Sequence, residues 1–455
     1  MTGWRRSPSP RPSRTVSRVR VLCTTAAVAV TAGAALVAGC GVLPGDPKGS
    51  REPVTVMTFA PVDTQATNMP GMTAMARAYA RWAATRDGLD GHELRVLTCN
   101  ERNSPEGASA CARRAVKEEV VAVVGSYSQH GSFMAPLEAA GIPFIGGYGI
   151  SADEFTSYLS YPVNGGQPAL LAGNGQQLAG SCGDVSLVRP DSLAGDDLSQ
   201  LLTSGLKKGR SGASTADIIA RDDATDYTEQ AELARKRAAE PGGGIGTLAG
   251  SAGTTGSAGK SGSTARPGCV TAALGDRTET FFDSYRRLPE DGRDIRISSV
   301  IGSVGQPLVD RTGGRSGPFE GAYITSWYPA ADDSRWAAMR EVIDEHAFGD
   351  NAVDPADPGV QTTWIAYTVL ERVVAALDSD TITPRRIAYA LDQGLTVSTD
   401  GLTPELRWGH DDMLGVPDYP RIVNRSVTFQ VVREGRLVPQ REEFVDVADT
   451  LTAAS

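Results

Sequence analysis

Residues Val120 to Ser151 read VVAVVGSYSQHGSFMAPLEAAGIPFIGGYGIS. The run Val120 to Val124 is apolar and mostly β-branched, over the length of a strand buried on both faces. It stops at Gly125, and a polar turn follows from Ser126 to Gly131. Phe133, Met134, Leu137 and Ala140 then recur at the three-to-four spacing of a helix with one apolar face. Gly141 fits a helix stop, and Pro143 bars continuation. Ile142 to Ile145 is a second short apolar run, closed by Gly146, Gly147 and Gly149. Strand, helix and strand with short loops make a βαβ unit, which requires a parallel sheet and a right-handed crossover. Ligands of such sheets sit beyond the carboxyl ends of the strands, where both polar turns fall. The first turn opens a helix, so its backbone N–H groups and positive dipole end suit a carboxylate.

The alternation continues on either side. Val54 to Phe59 and Leu94 to Thr98 read as strands, Met72 to Thr85 and Ala108 to Glu119 as helices. A second series places strands at Asp184 to Val188, Asp217 to Arg221, Val270 to Leu274, Ile295 to Ile301 and Gly321 to Ser326. Helices are expected between them over Leu193 to Leu206, Glu229 to Ala239 and Thr278 to Arg287. Asp226-Tyr227-Thr228 supplies an acid and a hydroxyl to cap the second of these. Three more helices follow: Trp336 to His346, Val360 to Leu377, and Arg385 to Leu391 with Thr383 as N-cap and Pro384 in the first turn. Glu434-Gly435 joins Val427 to Val432 and Arg436 to Val438 in a hairpin. The fold class is therefore α/β, with layered parallel sheets. Pro241 to Gly268 has ten glycines in twenty-eight residues and too little to bury, so a disordered surface insertion is expected.

The 455 residues are 40% hydrophobic and 22% charged, a balance that builds two globular domains. The formal net charge is −10, and the first 39 residues hold six arginines and no acid. The body is thus more acidic still, which argues against nucleic acid as a partner. Arg5 to Arg20 is basic, Val21 to Ala38 is apolar and uncharged, and Leu36-Val37-Ala38-Gly39-Cys40 ends the run. That order is an export signal with a small-residue cleavage site. The alternative is a plain membrane anchor, for which the run is barely long enough. Residues 40–52 read as a Gly- and Pro-containing tether. Outside the cytoplasm, Cys99, Cys111, Cys182 and Cys269 suggest two disulfides, with three possible pairings. There is no CxxC and no Cys/His cluster among four histidines, so neither a metal site nor a cofactor is expected.

The strand, "G…S" turn, helix and "GIP.I" strand of residues 120–151 resemble the type I periplasmic binding proteins, in the leucine/isoleucine/valine-binding branch that feeds ABC transporters. Leu36 to Cys40 resembles a bacterial lipobox, which implies cleavage before Cys40 and lipid (palmitate among it) on that cysteine. The resemblance covers roughly residues 53–438 and implies two Rossmann-like lobes joined by three hinge crossovers. Residues 53–162 and 331–405 would form the first lobe, 163–330 and 406–445 the second, and 446–455 a tail. The favoured disulfide pairing, Cys99–Cys111 and Cys182–Cys269, places one bridge in each lobe. By the same resemblance Ser126, Tyr127, Ser128 and Ser151 would hold a ligand carboxylate, with Thr64 and Gln65 as weaker partners. The alternative for Ser126 and Ser128 is that they cap the helix. The family's glutamate for an amino-acid ammonium falls at Gly302-Ser303-Val304-Gly305-Gln306, where no acid stands; Asp276 is the nearest substitute and Arg277 beside it could meet an anion.

These readings imply a monomeric, lipid-anchored protein on the outer face of the cell membrane, binding a small polar solute for an ABC permease. A ligand sensor or protein-interacting lipoprotein of the same fold is the alternative. An enzyme is not expected: Gly125-Ser126-Tyr127-Ser128-Gln129 lacks the last glycine of a nucleophile elbow, and His130, two residues on from Ser128, reads as a residue of the helix's first turn rather than a base.

Overall fold

A computed structural model describes residues 51–454 apart from 66, 192, 210–214, 222–223 and 240–265. The expected export signal, Cys40 and nearly all of the glycine-rich insertion lie outside the described residues. The chain begins with β1 (Arg51–Ala60), α1 (Pro70–Ala84), β2 (His92–Asn100), α2 (Pro105–Lys117), β3 (Ala122–Val124), α3 (Met134–Ala140), β4 (Phe144–Ile145), α4 (Asp153–Thr156) and β5 (Ser160–Tyr161). These five strands form one parallel sheet in the order β2-β1-β3-β4-β5. Val56 to Ala60 is buried without a break, as a strand covered on both faces must be. β3 is shorter than its apolar run because Val120 N–H bonds Ala115 O and closes α2 instead of joining the ladder.

The second half runs α5 (Gly166–Ala179), β6 (Val185–Pro190), α6 (Leu193–Lys208), β7 (Thr215–Ala220), α7 (Thr228–Ala239), β8 (Gly268–Ala272), α8 (Thr278–Arg286), β9 (Ile295–Val300), α9 (Gln306–Arg311) and β10 (Tyr323–Ser326). Then come α10 (Ala337–His346), α11 (Pro358–Leu377), α12 (Pro384–Asp392), β11 (Ser426–Arg433), β12 (Arg436–Pro439), β13 (Val445–Asp446) and α13 (Ala448–Ala454). The second sheet has the order β12-β11-β10-β9-β8-β6-β7, with β13 paired to β11. β6 to β10 are parallel, and β11 with β12 is the antiparallel hairpin. The alternating α/β order matches the expected fold class.

α10 and α11 return to the first sheet and pack on α1. α11 starts where Asp357 accepts from Gly359 N–H (2.6 Å) and Val360 N–H (3.2 Å), with Pro358 in the first turn. Thr383 caps α12 in the same way, through Arg386 N–H at 3.3 Å. Asp226 accepts from Thr228 N–H at 2.9 Å, the capping role read from the sequence. The chain thus passes between the sheets three times, and the passages bond to one another. Asn424 Nδ2 donates to Val163 O (2.9 Å), Asn164 Nδ2 to the Tyr328 hydroxyl (3.0 Å), and Thr428 Oγ1 to Tyr328 O (2.7 Å).

The disulfides are Cys99–Cys111 and Cys182–Cys269, the favoured pairing. Residues 446–454 fold as the end of β13 and α13, which buries Leu451. No helix among the described residues is long and apolar enough to cross a membrane.

Candidate functional site

The loops that follow β1 to β4 are stitched together at the carboxyl edge of the first sheet. Tyr127 N–H bonds Phe59 O (3.0 Å) and Tyr148 N–H bonds Ser126 O (3.1 Å). Gln129 Nε2 reaches Thr67 Oγ1 at 3.2 Å, and Val62 N–H reaches Asn100 Oδ1 at 3.1 Å. Ser126, Tyr127, Ser128, Ser151, Thr64 and Gln65 are therefore brought to one edge. The serine and threonine hydroxyls turn to the chain itself. Ser126 Oγ is fully buried and accepts from Phe59 N–H at 3.0 Å. Ser128 Oγ accepts from His130 N–H (3.1 Å) and donates to Glu101 Oε2 (3.3 Å). Neither serine caps the helix: a short 3-10 turn, Gly131–Phe133, intervenes before α3, and no side chain caps either element. Ser151 Oγ accepts from Asp153 N–H at 3.3 Å, at the start of α4. Thr64 bonds Asn68 and Thr67 within its own loop, and Gln65 is exposed on that loop. Asp276 belongs to the other sheet's edge, in the 3-10 turn Gly275–Arg277; its side chain lies outside the described residues.

Aromatic rings occupy the space between the two edges. The Tyr127 ring meets Tyr148 edge-on at 5.1 Å, and Tyr148 meets Trp327 edge-on at 5.1 Å. Trp327 follows β10, and its Nε1 donates to Gly166 O at 2.9 Å. The Tyr148 hydroxyl lies against Gly302, where a Cβ would approach it to 2.5 Å and where φ is +86°. A tyrosine from the first sheet thus rests on the loop after β9 in the second, in a place only glycine fits. Tyr148, Trp327 and Gly302 were not singled out from the sequence. The available signal was an aromatic residue directly after each strand-ending run, Tyr148 after Gly146-Gly147 and Trp327 after Ser326.

A sequence profile described as periplasmic binding protein matches residues 63–418. The chain belongs to the periplasmic binding protein family. No curated protein matches its sequence. Among solved structures, it resembles a possible leucine/isoleucine/valine-binding protein from Rhodopirellula baltica SH 1, at TM-score 0.65 and 13% identity, over 90% of this chain and 100% of that one. A branched chain amino acid ABC transporter from Thermus thermophilus with bound valine aligns at TM-score 0.63 and 13% identity, over 88% and 98%. A solute binding protein of an ABC transporter from Rhodopseudomonas palustris BisB5, in complex with 3,4-dihydroxy benzoic acid, aligns at 0.62 and 14%, over 87% and 98%. At these identities the likeness establishes the shared two-lobe fold.

One buried carboxylate orders the edge of this binding protein. Glu154 gathers the backbone N–H groups of Gly149 (3.0 Å), Ile150 (3.2 Å) and Ser151 (3.0 Å). Burial pushes its pKa from 4.5 up to about 7, against the downward pull of those three donors. A carboxyl raised in the folded state stabilises fully below its unfolded pKa, and that contribution is lost as pH rises through the folded value. Stability should therefore fall from about pH 4.5 to about pH 7, by roughly 3 kcal/mol from this group. Urea unfolding at several pH values checks this, with Glu154→Gln expected to flatten the decline. An unchanged slope in the variant would place the titration elsewhere.

Proposed function

We propose that the chain is an extracytoplasmic solute-binding lipoprotein, tethered to the outer face of the membrane through lipid on Cys40, that delivers a small polar solute to an ABC permease. The supporting observation is the contact of Tyr148 with Gly302, which sets the strand-end loops of one sheet against those of the other. Two sheets joined by three mutually bonded passages can open and close by hinge motion, and a ligand would enter at this contact. Tyr127, Tyr148 and Trp327 would form its bed, while Ser126, Ser128 and Ser151 hold the loops that present it. Thr64, Gln65 and Asp276 would border the entrance. An acid for an α-ammonium is missing from residues 302–306, so a ligand with a flat apolar body and a polar end suits the rings better than an α-amino acid does.

The test is a thermal-shift screen of the mature chain against amino acids, aromatic acids, small amides and short peptides. A ligand at a hundred times its Kd adds about 2.7 kcal/mol to stability. A hit abolished by Tyr148→Ala would place the solute between the sheets. The engagement of all three serine hydroxyls within the chain favours a second reading, in which the surface recognises a protein and serves sensing. A panel with no hit would support that reading and sink solute delivery.

A further inference from the structure

A cavity of about 530 Å³ opens beside the second passage between the sheets. Its lining does not include Ser126, Tyr127 or Tyr148. Ile301, Ser326 and Gln430 come from the second sheet, Pro329 and Ala330 from the passage, and Gln361 from α11 on the first. The polar members are deeply buried: Ser326 is 2% exposed, Gln361 3% and Gln430 3%. Gln361 bonds through Nε2 to Pro355 O (2.9 Å), and Gln430 through Nε2 to Tyr328 O (3.0 Å). Both amide carbonyls are left for the cavity. Ser326 Oγ accepts from Tyr328 N–H at 3.3 Å, which leaves its hydroxyl proton to donate. Of the charged lining residues, Asp310, Asp332 and Arg436 are exposed and sit at the rim. Arg340 and Asp354 are half-buried and already engaged, Arg340 Nη1 donating to Ala331 O and Asp333 O (2.9 Å each) and Asp354 Oδ1 accepting from Ala356 N–H (2.8 Å).

We propose that this cavity is a second solute site, for an uncharged polyhydroxylated molecule such as a sugar or polyol. Two carbonyl acceptors on opposite walls call for a ligand that donates on two sides. Ser326 calls for one that also accepts. Hydroxyl groups do both. The fully buried walls are neutral, and the half-buried Arg340 and Asp354 are opposite in sign and bonded to neighbouring backbone, so no net charge draws in an ion, whereas a neutral polyol exchanges one set of hydrogen bonds for another. Ile301, Pro329 and Ala330 give its C–H face an apolar floor. The volume falls within the range of small-ligand pockets. Because Gln361 stands on α11, which covers the first sheet, and Gln430 on β11 of the second, one bound molecule bridges the two halves.

Isothermal titration of the mature chain with D-glucose, trehalose and myo-inositol tests the site. Saturable binding of at least one is expected. Ala331→Trp, which fills the cavity from its edge and removes no hydrogen bond, should abolish that binding. Gln430→Ala and Gln361→Ala should each weaken it about tenfold, and Tyr148→Ala should leave it unchanged. If Ala331→Trp loses its near-ultraviolet dichroism, the two glutamine variants decide. The proposal fails if none of the three binds below about 10 mM, a Kd worth less than 3 kcal/mol. It fails too if binding survives Ala331→Trp or both glutamine variants, or if Tyr148→Ala removes it. A hit in the earlier panel alongside silence here would sink this site and leave solute delivery standing.

Discussion

Replacing Cys182 and Cys269 together by alanine should lower the unfolding free energy by roughly 4–5 kcal/mol. The bridge spans 87 residues and joins the link between α5 and β6 to the start of β8, the strand that pairs with β6 in the second sheet. Removing it frees the unfolded chain to sample a long open loop, and that entropy grows with the logarithm of loop length. The Cys99–Cys111 bridge spans only 12 residues, so its double alanine variant should lose roughly 3 kcal/mol. Guanidinium unfolding of both variants beside the parent chain measures the difference. A larger loss for the shorter bridge would mean that native packing around the cysteines, not chain entropy, sets their worth.

Trp327→Ala should cost roughly 3–5 kcal/mol, the usual range for emptying a large buried aromatic site. The ring is 1% exposed, edge-on to Tyr148 and 6.0 Å from Tyr328. Its Nε1 satisfies the carbonyl of Gly166 at the start of α5, and leaving that acceptor buried adds about 1–3 kcal/mol. Trp327→Phe separates the two terms, since it keeps most of the packing and loses the donor. A loss below about 1 kcal/mol for the alanine variant would contradict the packing described here.

The fold was readable because its strands and helices obey simple periodicities. β1 and α11 are continuous apolar or one-faced stretches, and Asp357 with Pro358 and Thr383 with Pro384 mark helix starts by local chemistry. β5 and β4 have two residues each, too few to carry a period, and only β4 was betrayed by its flanking glycines. α9 begins at Gln306-Pro307 and has six residues, too few to show a helical period. The site was less readable. A serine after a strand can serve a ligand or a neighbouring backbone, and the choice at Ser126 depends on Phe59, 67 residues away in the chain. Glu154 stands in a short polar stretch that reads as surface, yet three N–H groups of the preceding loop draw it inside. Tyr148 acquires its role only through Gly302, on the other sheet.

The return of α10 and α11 to the first sheet also sets an order of assembly. All five strands of that sheet are made before Pro162, but α11, which packs on α1, β3 and β4, ends at Leu377. The second sheet likewise waits for β11, which ends at Arg433. A chain emerging from its amino end would hold a finished sheet with one face uncovered while more than two hundred residues follow. The first half is complete only once α11 is made and the second only once β11 is, so both close late, and a truncation before α11 leaves two incomplete bodies rather than one intact domain.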